Sequence, residues 1–132
     1  MVPVLHLSIV VADLADARAF YVDTLGCRPG REDDGWMDVW FYGLQLTLQE
    51  RPDQVLPMDR QGRRHFGVTL DAAGFAELMA RLESASDVVW MVPVATDDAG
   101  TPREQTKAKL VDPSGNVIEL KTYADPEAAF AS

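Results

Sequence analysis

Four side chains in this chain of 132 residues are of types that could act together chemically: His6, Gln45, His65 and Glu119. His6 opens an apolar, β-branched run, HLSIVV, and His65 opens a second, HFGVTL. Alone, a histidine at such a place more often satisfies a hydrogen bond or sits at an edge than binds a ligand. Glu119 is more informative, because it lies between Ile118 and Leu120, where strand alternation groups it with Val117 and Lys121. A carboxylate on the inner face of a strand is costly unless it is paired, metal-bound or solvated in a cavity. Turned outward, it is an ordinary surface residue. Gln45 shares a face with Thr47 and Gln49, and alone is equally ordinary. Together, two imidazoles, a carboxylate and an amide oxygen suit zinc, iron, nickel or cobalt. Such a set leaves a divalent ion with open positions for water or substrate, where it can polarise a carbonyl or enolate oxygen. No dense motif such as HExxH is present.

The elements that must position these residues repeat along the chain. Val4–Val11 reads as a strand. Asp13 then stands as a helix N-cap before Leu14, Ala17, Phe20, Tyr21 and Leu25 at helical spacing, with Gly26 as the stop. Short strands follow at Arg28–Glu32 and Trp36–Tyr42, joined by Asp33-Asp34-Gly35, and Leu44–Glu50 is a further strand. Arg51–Arg64 reads as a linker or surface loop. The order then begins again, with a strand at His65–Leu70 and Asp71 as an N-cap. Phe75, Leu78, Met79 and Leu82 mark a helix, and strands follow at Val88–Val94, Thr106–Val111 and Asn116–Tyr123. Ala95–Arg103 is expected to be a loop, flexible enough at DDAGTP to act as a lid, and Asp112-Pro113-Ser114-Gly115 is a turn. Both halves read β-α-β-β-β, an internal duplication. Laying HLSIVV on HFGVTL and QLTL on ELKT matches His6 with His65 and Gln45 with Glu119. The four would converge if the halves pack about a pseudo-twofold axis.

Composition narrows the partners. A formal net charge of −9 repels phosphate backbones and anionic lipid, so neither nucleic acid nor a membrane is expected as a partner. No apolar run approaches the ~20 residues a membrane span needs. The start, MVPVLHLSIVVAD, lacks a basic signal-peptide region, and the lone Cys27 cannot form an internal disulfide. Both fit a cytoplasmic protein.

HLSIVVADLADARAFYVDTLGC, HFGVTLDAAGFAELMARLE and KLVDPSGNVIELKTY resemble the vicinal oxygen chelate superfamily of glyoxalases, bleomycin-resistance proteins and ring-cleaving dioxygenases. The resemblance implies one α+β domain over residues 1–132, built from two tandem βαβββ modules at about 5–50 and 65–123. Their curved, partly open mixed sheet would surround a cup-shaped site, and the subunits would form a homodimer. The resemblance also puts metal ligands at His6, Gln45, His65 and Glu119, for a divalent transition metal (Ni, Co, Zn, Mn or Fe). Methylmalonyl-CoA epimerase is similar in having His, Gln, His and Glu in that order. Extradiol dioxygenases and fosfomycin-resistance transferases use two histidines and one glutamate, which His6, His65 and Glu119 supply. The expected function is a lyase or isomerase that stabilises an enolate or oxyanion of a small carbonyl substrate. Glu119 would be ligand and catalytic base, with Gln49, Thr47 and Lys121 binding substrate. Glu32, Glu50 and Glu104 are candidates for a second catalytic carboxylate. The alternatives are a metal-free protein that binds an antibiotic or metabolite, and an Fe(II)- or Mn(II)-dependent extradiol-type dioxygenase. A fourth ligand at Gln45 would occupy a position that O₂ chemistry needs open.

Overall fold

The computed structural model describes residues 1–131 and divides into two compact units. The first holds Met1–Arg63 with the short segment Asp112–Asn116. The second holds Arg64–Val111 and the chain from Val117 onward. Each unit has an open, four-stranded mixed sheet with helical structure between its first two strands, which is an α+β arrangement. Among the described residues no helix is long and apolar enough to cross a membrane.

In the first unit the strands are β1 (His6–Val11), β2 (Arg28–Asp33), β3 (Trp36–Phe41) and β4 (Leu44–Glu50), in the order β1-β4-β3-β2. β1 runs parallel to β4; the other pairs are antiparallel. Alternation sorts the side chains into two faces. Met37, Val39, Phe41, Leu46 and Leu48 are buried, as are Ala17, Phe20, Tyr21 and Leu25 of the helical segment. The opposite face carries His6, Ser8, Asp38, Gln45 and Thr47, aligned by register as His6–Gln45–Trp40 and Ser8–Thr47–Asp38.

Helix α1 (Leu14–Arg18) starts at Asp13, whose carboxylate accepts from the Asp16 amide at 2.9 Å. The single helix expected to run to Gly26 instead passes at Ala19 into a π-helical turn over Ala19–Thr24. The wider turn lets the consecutive Phe20 and Tyr21 both bury. The Tyr21 hydroxyl donates to Asp112 at 2.8 Å. Asp112 also accepts from the backbone of Ser114 and Asn116, and Asn116 Nδ2 donates to the Val10 carbonyl at 3.0 Å. These bonds are why the Asp112–Asn116 turn groups with the first unit.

In the second unit, β5 (Phe66–Thr69), β6 (Val89–Asp97), β7 (Gln105–Val111) and β8 (Val117–Tyr123) lie in the order β5-β8-β7-β6. Helix α2 (Ala72–Glu83) is capped by Asp71, which accepts from Gly74 N at 2.7 Å. It buries Phe75, Leu78, Met79 and Leu82; Ala108, Leu110, Ile118 and Leu120 of the sheet are buried as well. Two boundaries differ from expectation. β5 begins at Phe66, so His65 stands just ahead of the strand. β6 runs on to Asp97, shortening the expected loop, because Ala95, Thr96 and Asp97 pair with Lys107, Thr106 and Gln105. The register shifts between Val92 and Ala95, around Pro93, which an edge strand tolerates. The expected linker Arg51–Arg64 contains short 3₁₀ turns at Pro52–Gln54 and Met58–Arg60.

Tyr21→Phe tests how firmly the turn is held. It should lower stability by about 1–2 kcal/mol, the usual worth of a buried hydrogen bond whose partner keeps other donors. Urea unfolding is the measurement; an unchanged midpoint would show that the bond contributes nothing net.

Candidate functional site

The polar face of the first sheet is organised by a carboxylate that sequence reading overlooked. Asp38 is 2% exposed and accepts four hydrogen bonds. Arg31 Nε and Nη2 reach Oδ2 at 3.3 and 3.1 Å, Gln45 Nε2 reaches Oδ2 at 3.1 Å, and Thr47 Oγ1 reaches Oδ1 at 2.6 Å. The register irregularity of β2 between Pro29 and Glu32 covers Gly30 and Arg31. A Cβ on Gly30 would lie 3.1 Å from that of Asp38. Burial acts to raise the Asp38 pKa, but the hydrogen bonds from Thr47, Gln45 and Arg31, with the arginine charge, outweigh it and hold the carboxyl below its usual value. The signal in sequence was an acidic residue within the apolar run WMDVWF.

This network sets the orientation of Gln45. With Nε2 given to Asp38, the amide oxygen is the end left to accept. His6 Nδ1 lies 3.1 Å from the Gln45 backbone carbonyl. A carbonyl only accepts, so Nδ1 carries a hydrogen; in the neutral ring this leaves the lone pair on Nε2, a common arrangement for a metal-binding imidazole. Gln49 Nε2 donates to Ser8 Oγ. Arg31 and Arg28 lie over the rings of Trp36 and Trp40, 5.6 and 5.5 Å from the centroids. A cleft of about 370 Å³ adjoins Trp40, walled also by Cys27, Arg28 and Tyr42.

The second sheet has its own central carboxylate. Glu119 is 8% exposed. Lys121 Nζ lies 3.2 Å from Oε1, while His65 Nε2 and Lys109 Nζ lie 3.4 and 3.6 Å from Oε2. Burial again acts to raise the pKa; the Lys121 hydrogen bond and charge, then Lys109 and His65, more than offset it, so Glu119 is held in its ionised form. Lys109 was not singled out from sequence; alternation in TKAKL groups it with Lys107, and the pairing of β7 with β8 puts it beside Glu119. Gly67 is the register partner of Glu119. A Cβ there would lie 1.7 Å from the Glu119 carbonyl oxygen, so the approach of β5 to β8 requires glycine.

The registers correct one sequence match. Gln45 stands opposite His6, whereas Glu119 stands opposite Gly67, two residues beyond His65. In the first sheet the place two beyond His6 is Ser8, and its partner is Thr47. By register, the counterpart of Glu119 is therefore Thr47, not Gln45. The candidate second carboxylates are engaged elsewhere. Glu32 pairs with Arg18 at 3.2 Å, Glu50 accepts from the Leu14 amide at 2.8 Å, and Glu104 accepts from the Gly100 amide at 2.7 Å.

Residues 4–120 match the profile of the Glyoxalase/Bleomycin resistance protein/Dioxygenase superfamily. The chain belongs to that superfamily. A solved glyoxalase/bleomycin resistance protein/dioxygenase from Alicyclobacillus acidocaldarius is 29% identical, with a TM-score of 0.85 over 96% of this chain and 95% of that one. The fosfomycin resistance protein FosX from Listeria monocytogenes shares the fold at 15% identity, with a TM-score of 0.73 over 97% of this chain and 98% of its own. A glyoxalase/bleomycin resistance protein/dioxygenase from Nocardioides does so at 20% identity, TM-score 0.67, over 93% and 84%. No curated protein matches in sequence.

Members of this superfamily commonly use divalent metals. Among the described residues no group of three or more His, Cys, Asp and Glu side chains is gathered closely enough to hold one. In donor chemistry the individual side chains do fit: an imidazole with a free Nε2, an amide with a free oxygen, and an ionised carboxylate beside a second imidazole.

Three outcomes follow from the buried carboxylates and from the close packing at Gly67. Both have native pKa values below the unfolded ones, so the unfolded chain binds more protons in acid. Stability should therefore be complete above about pH 4–5 and fall as pH drops through the native values. Asp38→Asn should flatten that acid slope and cost about 1–3 kcal/mol at pH 7, where the partner groups lose a charged acceptor; an unchanged slope would contradict it. Gly67→Ala should cost roughly 2–4 kcal/mol, since backbone must move. Denaturant unfolding within about 0.5 kcal/mol of wild type would show that β5 relaxes freely.

Proposed function

We propose that this chain is a metal-dependent lyase or isomerase acting on a small carbonyl compound, with His6, Gln45, His65 and Glu119 holding one divalent transition-metal ion. The observation that carries the reading is the set of partners already on the donors. The Gln45 carbonyl fixes the His6 tautomer, Asp38 fixes the free end of the Gln45 amide, and lysines keep Glu119 ionised. A bound ion would supply Lewis acidity toward a carbonyl or oxyanion oxygen of the substrate. The chain's own groups do the rest. Glu119 is the ionised carboxylate available to take a proton next to the carbonyl, and Lys121 and Lys109 stabilise its charge. Thr47, Gln49 and Lys121 supply polar contacts to the substrate. Asp38 is a positioning residue, acting through Gln45 and Thr47. We further take the working form to be a cytoplasmic homodimer acting on a small molecule.

The register supports a second reading, in which Gln45 is not a ligand and His6, His65 and Glu119 form a set of two imidazoles and one carboxylate. Such a set leaves more positions open and suits Fe(II)- or Mn(II)-dependent ring cleavage.

Cobalt(II) titration of metal-stripped protein tests the site common to both readings. Visible d–d bands should saturate at roughly one ion per chain and vanish in a His6→Ala/His65→Ala variant. Equal sub-stoichiometric metal in both proteins would overturn the site. Reconstitution with Ni, Co, Zn, Mn and Fe(II) separates the chemistries. Solvent deuterium appearing next to a carbonyl without O₂ uptake supports proton transfer. Oxygen consumption with a catechol, only with Fe(II) or Mn(II), establishes the second reading.

A further inference from the structure

The chain has nine arginines dispersed along it but only three lysines, Lys107, Lys109 and Lys121. All three lie on one face of two adjacent strands. Lys107 is the cross-strand partner of Lys121, and Lys109 is the partner of Glu119. Like charges directly opposite one another on antiparallel strands are destabilising. This chain accepts such a pair although its formal charge of −9 shows carboxylates in excess. The available counter-charges are too few. Lys107 pairs with Asp97 at 3.0 Å, and Glu119 is shared between Lys121 and Lys109. Three ammonium groups face two carboxylates, leaving a local surplus of one positive charge on an acidic protein.

The cluster is open to a ligand. The lysine side chains are 27–36% exposed, and the Lys107–Asp97 pair is solvent-screened on both sides, so it holds loosely. On β5, the exposed Thr69 is the register partner of Lys121, which extends the row to Thr69–Lys121–Lys107 across three strands. One hydroxyl-bearing and two ammonium-bearing residues in a single cross-strand row can offer donors from several directions to one compact, multiply accepting group. Ammonium is a point charge that reorients around such an acceptor, where a guanidinium would impose a planar fork.

We propose that Lys107, Lys121 and Thr69 form a subsite for the oxyanion end of a small ligand, a carboxylate or a phosphonate. Lys109 remains with Glu119 and balances its charge. This deepens the functional reading by naming the substrate class, a small anionic compound, and rests on that reading only for the substrate's chemistry; anion binding itself needs no metal.

The test uses full-length, metal-stripped protein labelled with ¹³C at lysine Cε, which gives one signal for each of the three lysines. Methylphosphonate, acetate and chloride are titrated separately at constant ionic strength. The Lys107 and Lys121 signals should shift saturably with methylphosphonate or acetate and not with chloride; the tighter binder identifies the oxyanion. Lys107→Gln should weaken binding about tenfold, as loss of one charge-assisted hydrogen bond does. Thr69→Val should weaken it less, and Lys107→Arg should restore it in part. Shifts no larger than those with chloride, or full affinity in folded Lys107→Gln, would overturn the proposal. Because no metal is present, this failure is distinguishable from failure of the metal site, which the cobalt titration reads separately.

Discussion

A carboxylate that is nearly out of water has to be met by donors, and each sheet is arranged around one that is. Asp38 in the first unit and Glu119 in the second are both under a tenth exposed and both held ionised. Their partners are the residues that could do chemistry. Asp38 takes its bonds from Gln45, Thr47 and Arg31. Glu119 takes its charge balance from Lys121 and Lys109, with the His65 imidazole beside it. Removing either carboxylate would leave several donors without an acceptor, a larger loss than the single contact suggests.

The two carboxylates act differently because their partners do. Arginine and two neutral donors saturate Asp38, so it is an anchor: it decides which end of Gln45 faces outward and has little capacity to spare. Ammonium groups that lie 27–32% exposed surround Glu119, so its partners can be exchanged. An ionised, exchangeable carboxylate beside an imidazole suits a ligand or a base. The surplus lysine charge around it makes this face locally positive on an acidic chain, the condition the proposed anion subsite requires.

Much of this was legible in the residues. The two β-α-β-β-β halves followed from alternation, from the N-caps Asp13 and Asp71, and from glycine stops, all local signals. The resemblance to the superfamily came from the FYVDTLGC and DPSGNVIEL segments and is borne out by the family match over residues 4–120. What failed to show was register. Matching QLTL with ELKT aligns Gln45 with Glu119, but a two-residue slip preserves the same face and the same polar pattern, so alternation cannot detect it. Pairing with β1 and β5 reveals it. Asp38 escaped notice because one acidic residue in an apolar strand has no meaning until its donors are known, and two of them, Gln45 and Thr47, come from another strand. The π turn at Ala19–Thr24 was invisible because its residues keep nearly helical spacing.

The central claim, that imidazoles from both halves and Glu119 hold one metal ion, is tested most directly by X-ray absorption at the zinc edge of zinc-loaded protein. The account predicts the multiple-scattering pattern of two imidazole rings at Zn–N distances of about 2.0–2.1 Å with oxygen ligands completing the shell. One ring should be lost in His6→Ala and the other in His65→Ala. An oxygen-only shell, or a spectrum indifferent to both substitutions, would contradict it.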